Sequence, residues 1–152
     1  MQALETQIEE LEKKRDRWLA INLIGFIVWD GFRIMDNYLI EGGVNNTLEF
    51  IYFLGWITWI VGLIQMFRLG YSVKKTHLAS QVLNDEWVEF IRLKSWRLAF
   101  IMIVLIQIVI IGLQIFTVSV SGILSAELTL FVAVVSAIAA FIYYNKVADG
   151  RI

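Results

Sequence analysis

The sequence contains no cysteine, no proline and a single histidine, His77. Without cysteine there is no disulfide, no thiolate metal site, no iron–sulfur cluster and no cysteine nucleophile, and the redox compartment cannot be read. Without proline no helix is interrupted by a residue that lacks an N–H. One histidine, in the polar stretch KKTHLAS, excludes a histidine-rich metal site within one chain and a His-ligated haem or chlorophyll inside a membrane. A surplus of one charge sign is also missing. The net charge of −1 excludes a global basic field, and nucleic acid is not an expected partner. No GxSxG, Walker A, HExxH or dinucleotide fingerprint occurs. The glycines are scattered rather than gathered into a phosphate-cradling loop. No catalytic residue, metal or cofactor is assigned, and the chain is expected not to be an enzyme.

What the chain has in abundance is apolar side chains, 59% of 152 residues. Soluble domains average roughly 45–50%, and a small domain leaves much of its surface in water. A bilayer absorbs the surplus. A hydrocarbon core of ~30 Å needs about 20 helical residues, and four such runs are present: 18–40, 47–69, 96–118 and 124–144. The charged stretch from Glu5 to Arg17 and the length of the first run argue against a cleaved signal peptide, so the first span is expected to be an uncleaved anchor.

Lysine and arginine placement orients the spans. Lys13, Lys14, Arg15 and Arg17 precede the first, and Arg68, Lys74, Lys75, Arg92, Lys94 and Arg97 lie around the connection between the second and third. Lys146 and Arg151 follow the fourth, whereas the connections EGGVNN and SVSGILSA hold neither residue type. Both termini are therefore expected in the cytoplasm, with the chain in the plasma (inner) membrane. Trp18, Trp96, Tyr143 and Tyr144 agree as interfacial anchors on that side.

The chain reads as a tandem duplication of 1–69 and 80–147, at an offset of 79 residues that shrinks to 78 in the later part of each unit. Leu4, Ile8 and Leu11 align with Leu83, Trp87 and Phe90; Arg15 aligns with Lys94, Glu49 with Glu127, and Thr58 with Ser136. Each unit is a cytoplasmic amphipathic helix (1–17, and the end of segment 70–95), a span out, a short loop and a span back. The expected fold is all-α: four transmembrane helices as two tandem helical hairpins, with cytoplasmic extensions before spans one and three.

The 3-4-3 spacing of Met1, Leu4, Ile8 and Leu11 makes an apolar stripe, with Glu10–Lys14 in the favourable i,i+4 order beside it. Leu83, Trp87 and Phe90 repeat the stripe, with Asn84 as the expected N-cap. Three readings are open: the two stripes pack on each other, they lie on the membrane surface, or they dock a partner.

The segment WDGFRIMDNY puts charge inside a span. Asp30 lies twelve residues past Trp18, about 18 Å along a helix and slightly beyond the midplane. Arg33 and Asp36 follow at i,i+3 steps on one face. A charge at that depth costs ~2.5–3.5 kcal/mol on insertion scales, and pairing offsets part of it. Thr58, Gln107 and Ser136 fall at comparable depth, with Gln114 nearer Arg33, so a polar cluster of Asp30, Arg33, Asp36, Thr58, Gln107, Gln114 and Ser136 is expected. It reads either as a buried ion pair fixing helix register and subunit contacts, as a proton or ion path, or as a site for a polar ligand whose identity is not legible.

Gly55 and Gly62 on the second span, and Ala133, Ser136, Ala137 and Ala140 on the fourth, form small-residue seams that permit close helix approach. Such seams serve contacts within a chain or between copies. Trp56 and Trp59 read as bulk facing lipid or a partner. Finally, LNDEWVEFIRLKSWRLAF (83–100) resembles a juxtamembrane segment of small uncharacterised bacterial inner-membrane proteins, in which an acidic start leads through an R-x-K step into a span. The resemblance implies a bacterial source and carries no activity. The expected role is a non-enzymatic membrane interaction protein: an accessory, scaffold or regulatory subunit contacting the bilayer, itself or other membrane subunits. The alternative is a small oligomeric transporter or ion/proton channel using Asp30 and Arg33.

Overall fold

The computed structural model describes residues 2–38, 46–75, 86–116 and 119–148. These residues are almost entirely helical, with no strand among them. Helix α1 spans Gln2–Phe26, a π-turn covers Ile27–Gly31, and α2 continues over Phe32–Tyr38. Helix α3 spans Asn46–Lys75, α4 Glu86–Ile115 and α5 Gly122–Ala148. Four stretches are long and apolar enough to cross a membrane: Glu9–Tyr38, Leu48–Ser72, Val88–Ile115 and Gly122–Val147. The protein is consistent with a multi-pass membrane protein.

Local sequence accounts for the helix ends. Ser121 caps α5, its hydroxyl accepting the Leu124 N–H at 3.1 Å. At the end of α4, the Phe116 N–H is shared between the Gly112 and Leu113 carbonyls at 3.3 and 3.1 Å. In α1 the stabilising i,i+4 pair is Glu9–Lys13 at 2.7 Å. Helix α1 runs without a break from the charged stretch past Trp18, and α4 does the same past Trp96.

Helix α1 packs chiefly on α3, and α4 on α5. The π-turn and α2 also touch both α3 and α5, and α1 touches α5. The order of contact is thus α3, α1, α5, α4, and among the described residues no extensive contact joins α3 to α4. Register is antiparallel at each step. Asn22 faces Gly62 and Trp29 faces Gly55; Asp16 meets Asn145 and Arg33 meets Glu127; Gln107 meets Thr129.

The α1–α3 contact depends on missing side chains. A Cβ on Gly55 would lie 2.6 Å from the Trp29 backbone nitrogen, and one on Gly25 would lie 2.6 Å from that of Trp59. Real atoms do not approach so closely, so backbone meets backbone there. Gly55 and Gly62 thus form a seam within the chain, completed by Gly25. On α5, Ala140 is buried and Ala133, Ser136 and Ala137 are half-buried.

The pattern of burial is inverted relative to a water-soluble domain. Asn22, Asp30, Ser95 and Asn145 are buried, whereas Phe53, Ile64, Phe67, Phe100, Ile108 and Ile115 are exposed. Exposed apolar area costs about 25 cal/mol per Å² in water, a cost that hydrocarbon surroundings remove.

The two apolar stripes lie only partly within the described residues. The side chains of Leu4, Ile8 and Trp87, and all of Leu83, lie outside the described residues, as do His77 and Asn84. Leu11 is half-buried and Phe90 exposed, with the Lys94 ammonium 4.4 Å from the Phe90 ring centroid. No extensive contact joins α1 to α4 among the described residues; the reading in which the stripes pack on each other falls on side chains outside them. Each of the two helices continues into a span, and both contact α5.

Candidate functional site

The site begins with the π-turn. A π-turn accommodates one extra residue in a helix and often marks a functional position. Here it interrupts the first span without any proline, and it carries Asp30, which is 3% exposed. Arg33 lies one turn further along on α2. Its Nε and Nη2 both donate to Asp30 Oδ1, at 3.1 and 2.7 Å. Its Nη1 crosses to α5 and donates to Glu127 Oε1 at 2.9 Å. One guanidinium therefore holds two carboxylates from different helices, in the forked geometry that makes arginine pairs strong. The same guanidinium lies 6.0 Å from the Trp29 ring centroid.

Glu127 Oε2 is buried with no hydrogen-bond partner of ordinary geometry, and the Tyr38 side chain, at the end of α2, interacts with the same carboxylate both electrostatically and through a side-chain hydrogen bond. Below the clasp lies an aromatic floor. Trp29 stacks on Trp59 with centroids 4.8 Å apart, and Phe26 stacks on Phe131 at 6.0 Å while meeting Trp29 edge-on at 5.9 Å. The Phe131 ring lies 3.6 Å from where a Cβ on Gly31 would sit, an ordinary van der Waals distance. The floor separates the clasp from the opposite half of the α1–α5 contact.

A second polar tie closes that opposite half. Arg15 Nε and Nη2 donate to Asp16 Oδ1, each at 3.2 Å, and buried Asn145 donates through Nδ2 to Asp16 Oδ2 at 2.8 Å. Arg15 also lies over the Phe141 ring, 5.6 Å from its centroid. The α1–α5 contact is thus pinned by polar groups near both ends with aromatic packing between.

Of the expected polar cluster, the structure brings together only Asp30 and Arg33. Asp36 is half-buried, and Arg33 gives its remaining arm to Glu127 rather than to Asp36. Thr58 donates to the Leu54 carbonyl at 2.8 Å, and Ser136 to those of Val132 and Ala133 at 2.6 and 3.2 Å, so both hydroxyls are satisfied within their own helices. Gln107 donates to Thr129, which in turn donates to the Ser125 carbonyl at 2.7 Å; Gln114 donates to the Val120 carbonyl at 3.4 Å. Equal depth does not imply a shared centre, because each group finds a nearer acceptor. Trp59 is also corrected: it faces the aromatic floor, not lipid or a partner, whereas Trp56 is exposed and stacks on Phe53 at 6.1 Å.

Glu127, Thr129, Asn22, Asp16, Asn145 and Gly25 were not singled out as site or packing residues from sequence. The strongest missed signal is Glu127, the only charged residue between Arg97 and Lys146. Comparison with known proteins finds no matching family model, curated protein or solved structure.

Proposed function

We propose that this chain is a non-enzymatic integral membrane interaction protein, an accessory, scaffold or regulatory subunit of a homo-oligomer or larger membrane complex. In this reading it lies in the plasma (inner) membrane of a bacterium, as two tandem helical hairpins with both termini and the two helical extensions in the cytoplasm. The observation that carries the reading is the order of helix contact. Helices α3 and α4 each have neighbours on one side, and their other faces present Phe53, Ile57 and Ile64, and Phe100, Ile108 and Ile111. The charged side chains Asp30, Arg33 and Glu127, by contrast, are engaged with one another, joining the π-turn and α2 to α5.

The test is photocrosslinking from these faces in native membranes. Crosslinkers at Ile57, Ile64, Phe100 and Ile108 are expected to yield discrete protein adducts from at least one face, together with an oligomer or complex in mild detergent. Adducts to lipid alone from all four positions, with a monomer in native mass spectrometry, would overturn the reading. The second reading, a small oligomeric transporter or ion/proton channel, draws on the second carboxylate at Arg33.

A further inference from the structure

One end of the bundle carries cations that no described carboxylate neutralises. Asp16 meets Asn145 and Lys94 reaches Tyr144, so Arg15, Arg17, Lys94, Arg97 and Lys146 belong to the same end. Asn22 faces Gly62, and six residues along each antiparallel helix Asp16 comes level with Arg68. The ion pairs at this end are Glu9–Lys13, Arg15–Asp16 and Glu89–Arg92. Arg17, Arg68, Lys94, Arg97 and Lys146 are exposed and enter no ion pair among the described residues.

Two of these cations sit above an apolar strip. The Lys94 ammonium lies 4.4 Å from the Phe90 ring centroid and 5.7 Å from that of Tyr144, so rings on α4 and α5 steady it where the two helices meet. Neither Lys94 nor Arg97 makes a hydrogen bond among the described residues, which leaves their N–H donors for an outside acceptor. Trp96, between them, is 65% exposed. An indole favours the headgroup level of a bilayer, which puts both cations at the depth of lipid phosphates. Steps of three and four residues lead from Lys94 and Arg97 to Ile101, Leu105 and Ile108, so all share one side of α4. The last three are exposed. From Arg97 to Ile108 the strip is about 16 Å long at ~1.5 Å per residue, close to half of a hydrocarbon core of ~30 Å.

We propose that Lys94 and Arg97 bind the phosphate of one anionic phospholipid, whose acyl chains lie along Ile101, Leu105 and Ile108. A net negative headgroup supplies the charge that the chain does not, whereas a zwitterionic headgroup carries its own cation. A lipid fits better than an acidic protein segment, because cations and apolar strip stand in line, head above tails, over the depth of one leaflet. Arg92, two residues from Lys94, lies on the opposite side of α4 and is paired with Glu89, so it stays outside the site. The lipid site requires only that the chain spans a bilayer, so it and the accessory-subunit reading fail separately.

Native mass spectrometry of the full chain, titrated with phosphatidylglycerol or phosphatidylcholine of identical acyl chains, counts the bound lipid. One phosphatidylglycerol is expected to bind more tightly than phosphatidylcholine. A basic residue near a membrane surface contributes roughly fivefold. Lys94→Gln with Arg97→Gln should therefore weaken phosphatidylglycerol about twenty-five-fold and leave phosphatidylcholine unchanged, while Arg92→Gln keeps the preference. Equal binding of the two lipids by the wild-type chain overturns the proposal. So does a preference that survives the double variant, or one lost as fully in Arg92→Gln. Neither glycerol phosphate nor an oligoglutamate peptide should displace the lipid. Displacement by the first would make this a site for free phosphate, displacement by the second a site for an acidic protein segment, and either result overturns the proposal. A phosphatidylglycerol with a photoreactive acyl chain decides on the wild-type chain even if the double variant fails to fold. Adducts within 101–108 support the site, and adducts confined to other segments refute it.

Discussion

Arg33 and Glu127 are 94 residues apart in the chain and 2.9 Å apart in space. Their bond joins the first span to the last, and it does so where Arg33 already holds Asp30 from within its own span. Local and long-range order therefore meet at one guanidinium, which makes that side chain the natural place to perturb the fold.

Replacing Arg33 by Gln strands buried Asp30 and frees Glu127. Loss of one partner of a buried pair costs about 3–5 kcal/mol, and the partial exposure of Arg33 puts the expected loss near the lower end. The double variant Asp30→Asn with Arg33→Gln should recover much of it, because no unpaired charge then remains at Asp30. Reversible denaturation in mixed micelles, followed by helical circular dichroism, completes the double-mutant cycle. Equal stability of the single and double variants would show that Asp30 does not depend on Arg33.

The glycine seam makes a sharper contrast. Gly55→Ala puts a methyl group against the Trp29 backbone and should cost about 1–3 kcal/mol, as overpacking does. Gly112→Ala, where a Cβ meets nothing within 4 Å, should be neutral or slightly stabilising. Similar melting temperatures for the two variants would contradict the close approach of α1 and α3.

At the end of the α1–α5 contact opposite Arg33, Asn145→Ala removes the donor to Asp16 Oδ2. A buried acceptor left without its partner costs about 1–3 kcal/mol. Cysteine crosslinking between α1 and α5, in a chain that has no native cysteine to remove, should show the loosening at this end first.

Two neighbouring tryptophans should differ in their exposure to lipid. A variant retaining only Trp56 is expected to be quenched strongly by brominated acyl chains, and one retaining only Trp59 weakly, because Trp59 lies on the aromatic floor. Equal quenching would place Trp59 at the lipid surface.

The four spans were legible because runs of apolar residues such as those between Leu98 and Phe116 have one economical environment. The intramembrane pair was legible too, since Asp30 and Arg33 are one helical turn apart. The partner of Arg33 was not. Glu127 sits far along the chain, and its side of α5 is chosen by how Phe131 and Asn145 pack, a choice that no local spacing records. The π-turn was equally hidden. Proline is the usual sign of an interrupted helix, and here the interruption arises where the Trp29 backbone lies against Gly55, a contact between two segments 26 residues apart. The central cluster failed as an expectation for the opposite reason, since Thr58 and Ser136 found acceptors four residues back along their own helices.

An added residue rotates everything after it by about 100° in an α-helix. The π-turn therefore divides the first span into two rotational phases: before it Asn22 and Gly25 meet α3 while Asp16 meets α5, and after it Arg33 is brought back to α5. Deleting one residue within Ile27–Gly31 would leave the composition of the span almost untouched and its length sufficient to cross a bilayer. It would nonetheless swing Arg33 away from Glu127. For this helix, the count of residues across one turn matters more than their identity, and a frame slip of a single position is a larger change than most substitutions.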